Sequence, residues 1–290
     1  MTLAVALKLG RVSNLPTVWS NVLAGVVLAG GALNQSTVTG LVIALSLFYV
    51  AGMFLNDAFD REYDARDRPT RPIPAGKISA RAVFATGFGM MGIGWIVLTA
   101  IGAFATPGGG VRAAIAGLIL AGLIIHYDRN HKENTWGPIV MGLCRVLVYV
   151  SAGAALSEFL PARLWIGTLA MLCLLIGLTY ASKQEGFGRM GNLWPLALLA
   201  VPFVIGAPSL PGNPTAATLF ALYFAATIWA VILLVRKTNR QIGRAIAVLI
   251  AAISLLDGML IAGAGQPVVA WIAALGFPLT LAAQRWVSGT

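Results

Sequence analysis

The chain has 290 residues, of which 58% are apolar and 10% charged, with a formal net charge of +10 and a mean hydropathy of +0.84. A soluble domain carries about 25% charged residues, so a soluble enzyme with a polar shell is excluded, and with it a disordered chain. Nucleic-acid binding is excluded too, because the basic residues sit in short gaps between long apolar runs, the distribution of a membrane protein. At 1.5 Å per helical residue, about 20 apolar residues cross the hydrocarbon core. Ten runs of roughly that length follow one another, at approximately 17–33, 37–57, 80–104, 111–126, 137–157, 162–182, 192–207, 215–235, 243–263 and 267–287. The first follows Lys8 and Arg11 and has no small-residue cleavage site behind it, so it reads as a retained span. The seventh is short and holds Pro195 and Pro202, which makes it the weakest. Cys144 and Cys173 lie inside runs, implying neither a disulfide framework nor a cysteine metal site.

Lys and Arg hold loops back from translocation. With the N-terminus inside, seventeen of the basic residues fall in inner segments and only Arg112 and Arg163 outside, leaving Arg145 within a span. The charged inner loops follow the second, fourth, sixth and eighth runs. The expectation is an all-α integral membrane protein, one domain over residues 1–290, with nine or ten transmembrane helices. Its helical hairpins gather their polar ends on the cytoplasmic face.

The loop after the second run is the richest in chemistry. It reads Asn56-Asp57-Ala58-Phe59-Asp60-Arg61-Glu62-Tyr63-Asp64, and continues to Arg71-Pro72-Ile73-Pro74-Ala75-Gly76. Residues four apart on a helix drift only about 40° around its axis, so Asn56, Asp60 and Asp64 form one stripe with Asp57 beside it. Several hard oxygens on one face suit Mg²⁺, which takes one or two carboxylates and completes its shell with water and substrate phosphate. A solvated loop of self-pairing Asp and Arg is the plainer reading. Against it stands the placement of Asn56 and Asp57 at the end of an apolar helix, where ionisable groups are costly unless they face a polar cavity.

Asn-Asp-x-x-Asp-x-x-x-Asp followed by Arg-Pro-Ile-Pro-x-Gly resembles the first signature of the UbiA family of intramembrane prenyltransferases. The resemblance implies a core of nine helices around a central cavity, with the last run a possible tenth. It also implies Mg²⁺-dependent transfer of a prenyl group from a prenyl diphosphate to an acceptor that the sequence does not identify. Asn56, Asp60 and Asp64 become the metal-side ligands, Asp57, Asp60 and Asp64 the catalytic carboxylates, and Arg71 a diphosphate contact. In the loop after the fourth run, His126-Tyr127-Asp128-Arg129-Asn130-His131-Lys132-Glu133, the resemblance makes Lys132 a second diphosphate cation and Asn130 a weaker contact. His126 and His131, five apart, are a poor helical pair for zinc. After the sixth run the pattern departs from the family. Where relatives carry a second aspartate-rich motif, this chain reads Tyr180-Ala181-Ser182-Lys183-Gln184-Glu185-Gly186-Phe187-Gly188-Arg189. Either Glu185 holds a second metal, or, as we favour, Lys183 and Arg189 replace that metal's charge against the diphosphate. This departure resembles the divergent EboC-like branch of the family.

Two charges lie within apolar runs, Arg145 and Asp257. They either tie helices together, paired with each other or with backbone, or place Arg145 on the cavity wall against diphosphate or a polar acceptor. Phe59, Tyr63 and Tyr149 are candidates for an aromatic wall around a carbocation. Asn14 and Asn21, near the start of the first run, are open to the same two readings, packing or cavity wall, and are assigned no role. A secondary transporter also fits ten spans with intramembrane Arg and Asp, although transporter sites lie near the bilayer midplane and these acids crowd the inner helix ends. A family member that binds isoprenoids without catalysis is the third alternative.

Overall fold

The computed structural model describes residues 2–132, 134–185, 194–235, 239–287 and 289, without the side chains of Gln184, Glu185, Asn239 and Arg240. Among the described residues every regular element is a helix. In chain order they are α1 (Leu3–Leu9), α2 (Leu15–Ala29), α3 (Gln35–Phe59), α4 (Arg61–Asp67), α5 (Ala80–Ala105), α6 (Gly109–Asn130) and α7 (Gly137–Leu156). They continue with α8 (Ala162–Glu185), α9 (Val201–Gly206), α10 (Pro214–Val235), α11 (Asn239–Gly263), α12 (Pro267–Ala274) and α13 (Gly276–Ala283).

Eight of the ten expected runs are helices long and apolar enough to cross a membrane. The seventh and tenth are shorter stretches, Trp194–Ser209 and Pro267–Ala283. Proline supplies the reason for the first, because Pro195 and Pro202 remove backbone donors and the segment winds largely as a 3₁₀ helix on either side of α9. A 3₁₀ helix rises about 2.0 Å per residue, so this stretch reaches further than its residue count suggests. The tenth run breaks between α12 and α13 at Leu275. Helix starts follow local chemistry. The Asn34 side chain caps α3 by accepting from Ser36 N at 3.0 Å, and Ser79 caps α5 by accepting from Ala82 N at 3.2 Å. Gly30, with φ +78°, closes α2 in a left-handed conformation that a side chain would strain.

The helices pack as two halves sharing α2 and α7. One core joins α2, α3, α5, α6 and α7 through residues such as Val22, Phe48, Leu98 and Leu120. The other joins α2, α7, α8, α10, α11 and α12 through Leu28, Tyr149, Leu174, Tyr223 and Leu256. Gly25 is why α2 and α7 can be shared, since a Cβ there would stand 2.7 Å from Tyr149 O and 2.9 Å from Tyr149 Cα. Helix α11 is the most enclosed span and α5 the least, with Phe88, Ile93, Ile96 and Phe104 facing outward as lipid-facing residues do.

Candidate functional site

Helix α3 passes into α4 without losing its period. Asp60, the residue between them, keeps helical backbone angles, and the i to i−4 bonds run on from Asp60 N to Asn56 O (2.9 Å), Asp64 N to Asp60 O (2.8 Å) and Arg68 N to Asp64 O (2.9 Å). The stripe therefore survives the junction, and Asn56, Asp57, Asp60 and Asp64 are all buried. The segment after α4 folds back in tight turns, among them one at Gly76 with φ +70°, while Ile73 and Ile78 pack on Leu9, Phe54 and Val83. That return carries Arg71 over the stripe, where Nη1 donates to Asp57 Oδ1 at 3.1 Å and Asp64 Oδ2 at 2.9 Å.

Two other segments complete the cluster. Arg11, in the turn before α2, donates to Asp57 Oδ1 at 3.4 Å and Asn56 Oδ1 at 3.5 Å. From the end of α6, Lys132 Nζ stands 2.9 Å from Asp60 Oδ2 and 4.0 Å above the Tyr63 ring. His131 Nε2 lies 3.6 Å from the same oxygen, its ring stacked on Tyr127. Burial pushes the His131 imidazole below its ordinary range, against the pull of Asp60. Asp128, buried, accepts from Asn56 Nδ2 at 3.2 Å.

Asp64 Oδ1 and Asp128 Oδ2 are buried without a hydrogen-bond partner among the described residues. Among those residues no three His, Cys, Asp or Glu side chains stand together as a ready metal cage. That donor set still fits Mg²⁺, a hard cation that is usually held by one or two carboxylates and completed by water and phosphate.

Beside Asp128 a cavity lies between α2, α3, α6 and α7, about 580 Å³ when the open space at its mouth is included. Its wall is apolar, with Val18, Phe48, Ile124, Met141 and Val148 among its lining, and the charged groups on it are Asp128 and Arg145. Arg145 donates to Asn21 Oδ1 at 2.8 Å and Thr17 Oγ1 at 3.2 Å, with its guanidinium 5.4 Å above the Tyr49 ring. Behind it, Asp257 is fully buried and accepts from Ser20 Oγ at 2.5 Å, Asn21 Nδ2 at 2.7 Å and the Tyr149 hydroxyl.

The structure thus brings Asn56, Asp57, Asp60, Asp64, Arg71 and Lys132 into one cluster. It does not bring Asn130 there: the Asn130 amide donates to His126 O at 3.1 Å, on its own helix. Lys183 is likewise turned elsewhere, since Nζ donates to Asn134 O at 2.7 Å and His131 O at 3.1 Å, satisfying loop carbonyls and fastening α8 to the segment that carries Lys132. The Glu185 side chain and Arg189 lie outside the described residues. Arg145 and Asp257 are linked through the Asn21 amide rather than paired directly, and Arg145 does line the cavity. The expected aromatic wall differs. The rotation of α7 buries Tyr149 against Asp257, Tyr63 is exposed, and Phe59 packs edge-on against Phe84 at 5.0 Å. The cavity's aromatics are Phe48, Tyr49 and Tyr127. Sequence reasoning missed Arg11 and His131 as cluster members, and Asp128 as well. Asp128 carried a usable signal, an acid at the end of an apolar run, the same signal that marked Asp57.

The UbiA prenyltransferase family matches residues 18–241. Digeranylgeranylglyceryl phosphate synthase of Metallosphaera sedula is 27% identical over 155 residues, 52% of this chain and 51% of that protein. A 4-hydroxybenzoate octaprenyltransferase of Pectobacterium carotovorum subsp. carotovorum is 32% identical over 224 residues, 69% of this chain and 72% of that one. This chain spans about half the length of the first curated relatives it matches. A solved structure of a UbiA homologue from Aeropyrum pernix superposes with a TM-score of 0.56 at 16% identity, covering 91% of this chain and 96% of that one, a likeness of fold. A structure from work on digeranylgeranylglyceryl phosphate synthase in membranes superposes with a TM-score of 0.63 at 19% identity, covering 90% of this chain and 98% of that one. With the family match running from the first span through the start of α11, on a helix bundle of the same fold, the chain belongs to the UbiA prenyltransferase family.

Proposed function

We propose that this protein transfers a prenyl group from a prenyl diphosphate to an acceptor inside the membrane. The observation that carries this reading is the buried stripe Asn56, Asp60 and Asp64, with Asp57, joined through Asp128 to an apolar cavity and contacted by Arg11, Arg71 and Lys132. The names of its relatives, a digeranylgeranylglyceryl phosphate synthase and a 4-hydroxybenzoate octaprenyltransferase, support the same chemistry.

In the reaction the allylic carbon–oxygen bond breaks, the diphosphate leaves with the electron pair, and the acceptor's nucleophilic atom bonds the carbon and gives up a proton. Charge grows on the leaving diphosphate, so fixed cations aimed there lower the barrier. Arg71 offers a planar fork, and Arg11 and Lys132 add charge from two other elements. Mg²⁺, held by Asn56, Asp60 and Asp64 with Asp57 and Asp128 beside them, would supply Lewis-acid charge to the leaving group. The apolar cavity shelters the prenyl chain and keeps water from the reacting carbon, with Tyr49, Tyr127 and Phe48 presenting rings to a developing cation.

Membranes containing the protein, incubated with radiolabelled prenyl diphosphates of several lengths and a lipid extract, should yield a new labelled lipid on chromatography. No product at any chain length would defeat the reading. The acid-rich end is taken to face the cytoplasm. In a cysteine-free background, a unique cysteine at Lys77 should react with an impermeant reagent only from the cytoplasmic side, and one at Pro107 or Asn213 only from the other. Labelling of Lys77 and Pro107 from the same side would reverse that assignment.

A further inference from the structure

We propose that Arg145 is the recognition point for an anionic group on the acceptor, a carboxylate or a phosphate monoester. The inference rests on the prenyl-transfer reading above and adds the chemical class of its second substrate.

Position comes first. Arg145 lies eight residues after Gly137, the start of α7, so it sits about 12 Å along the helix from the acid-rich end. It shares the cavity wall with Asp128, which is bonded to the stripe through Asn56. The cavity therefore has an acid-rich end, where the diphosphate is handled, and, among the described residues, one guanidinium deeper in a largely apolar wall.

The state of that guanidinium comes second. An arginine has five N–H donors and stays charged. Two hydrogen bonds hold it, to Asn21 Oδ1 and Thr17 Oγ1, and both acceptors are neutral. No ion pair joins it to a carboxylate among the described residues. Asp257 does not fill that role. It already accepts from Ser20, Asn21 and Tyr149, and its link to Arg145 passes through the two ends of the Asn21 amide. This arrangement fixes the amide and the guanidinium in orientation without neutralising the charge at the cavity surface. An unmatched guanidinium beside a hydrocarbon tail leaves donors without acceptors, which is costly away from water. A carboxylate or a phosphate matches the free part of the fork, while a prenyl chain offers it nothing.

The test uses the full chain in phosphatidylcholine nanodiscs, with two pairs of probes. 4-Hydroxybenzoate is compared with 4-hydroxybenzamide for a carboxylate source, and lysophosphatidic acid with monoacylglycerol for a phosphate source. In at least one pair the anionic member should bind at least about tenfold more tightly than its neutral counterpart, the worth of a charge-assisted hydrogen bond. The pair that discriminates identifies the source. Arg145→Gln should remove the preference and Arg145→Lys keep part of it, while inorganic diphosphate binding stays unchanged in both. A second readout needs no Arg145 variant. Cys144 also lines the cavity, so in the wild-type protein the preferred anionic probe should slow its reaction with a small thiol reagent, and the neutral probe should not. Absence of preference in both pairs, its survival in Arg145→Gln, or equal protection of Cys144 by both members would overturn the proposal. Absence of prenyl transfer with the anion preference intact would instead defeat the transferase reading and leave the Arg145 site standing.

Discussion

At the end of the bundle where α2 and α7 begin, Arg11, Arg71 and Lys132 reach across chain segments to the carboxylates of Asp57, Asp60 and Asp64. At the end where those helices finish, Arg163 donates to Leu28 O at 2.8 Å and Arg112 to Ala154 O at 3.2 Å. The last carbonyls of a helix lack internal partners and carry the negative end of its dipole, so an arginine there is a structural cap. The acids at the other end break that rule. Asp128 lies in the last turn of α6, where the dipole disfavours negative charge, and Asp57 is buried just before the junction of α3 and α4. Cations imported from three segments hold Asp57, Asp60 and Asp64, while Asp128 accepts from the Asn56 amide. Charges that relieve a helix end belong to the fold, whereas buried acids held by cations from other segments mark a site.

The comparison can be broken most sharply at the stripe. Asp60→Asn or Asp64→Asn should lower prenyl transfer by roughly 10²-fold or more, measured with radiolabelled donor at saturating Mg²⁺, while the protein still inserts and elutes as a folded species. Unchanged turnover in either variant would remove the distinction between the two ends. Next in size, Gly25→Val should cost about 1–3 kcal/mol of stability, read as a lower thermal midpoint in detergent, because the added atoms meet the Tyr149 backbone, which cannot rotate away. At the capping end, Arg163→Ala should cost about 1 kcal/mol and leave turnover per folded molecule within about twofold. A large loss of turnover there would make the cap a part of the site. The smallest effect separates two lysines. Lys132→Met should weaken diphosphate binding by about tenfold, and Lys183→Met by no more than about threefold, since Lys183 is engaged with loop carbonyls. Equal losses would return Lys183 to the diphosphate.

What the sequence by itself determined is local. Apolar length marks a span regardless of its neighbours, which is why ten runs could be marked and eight are, among the described residues, helices long and apolar enough to cross a membrane. The helical period places Asn56, Asp60 and Asp64 on one face, because residues four apart stay near one another whatever the helix packs against. The family signature added Arg71 to that face. Only the tertiary structure decided the rest. Whether Lys183 turns to the aspartates or to a loop, and whether Tyr149 lines the cavity or backs it, depends on the rotation of one helix against others. Asn21 is separated from Arg145 by 124 positions and from Asp257 by 236, and no pattern along the chain encodes that meeting. The close approach that Gly25 allows between α2 and α7 creates it, and with it the Arg145 guanidinium on the cavity wall.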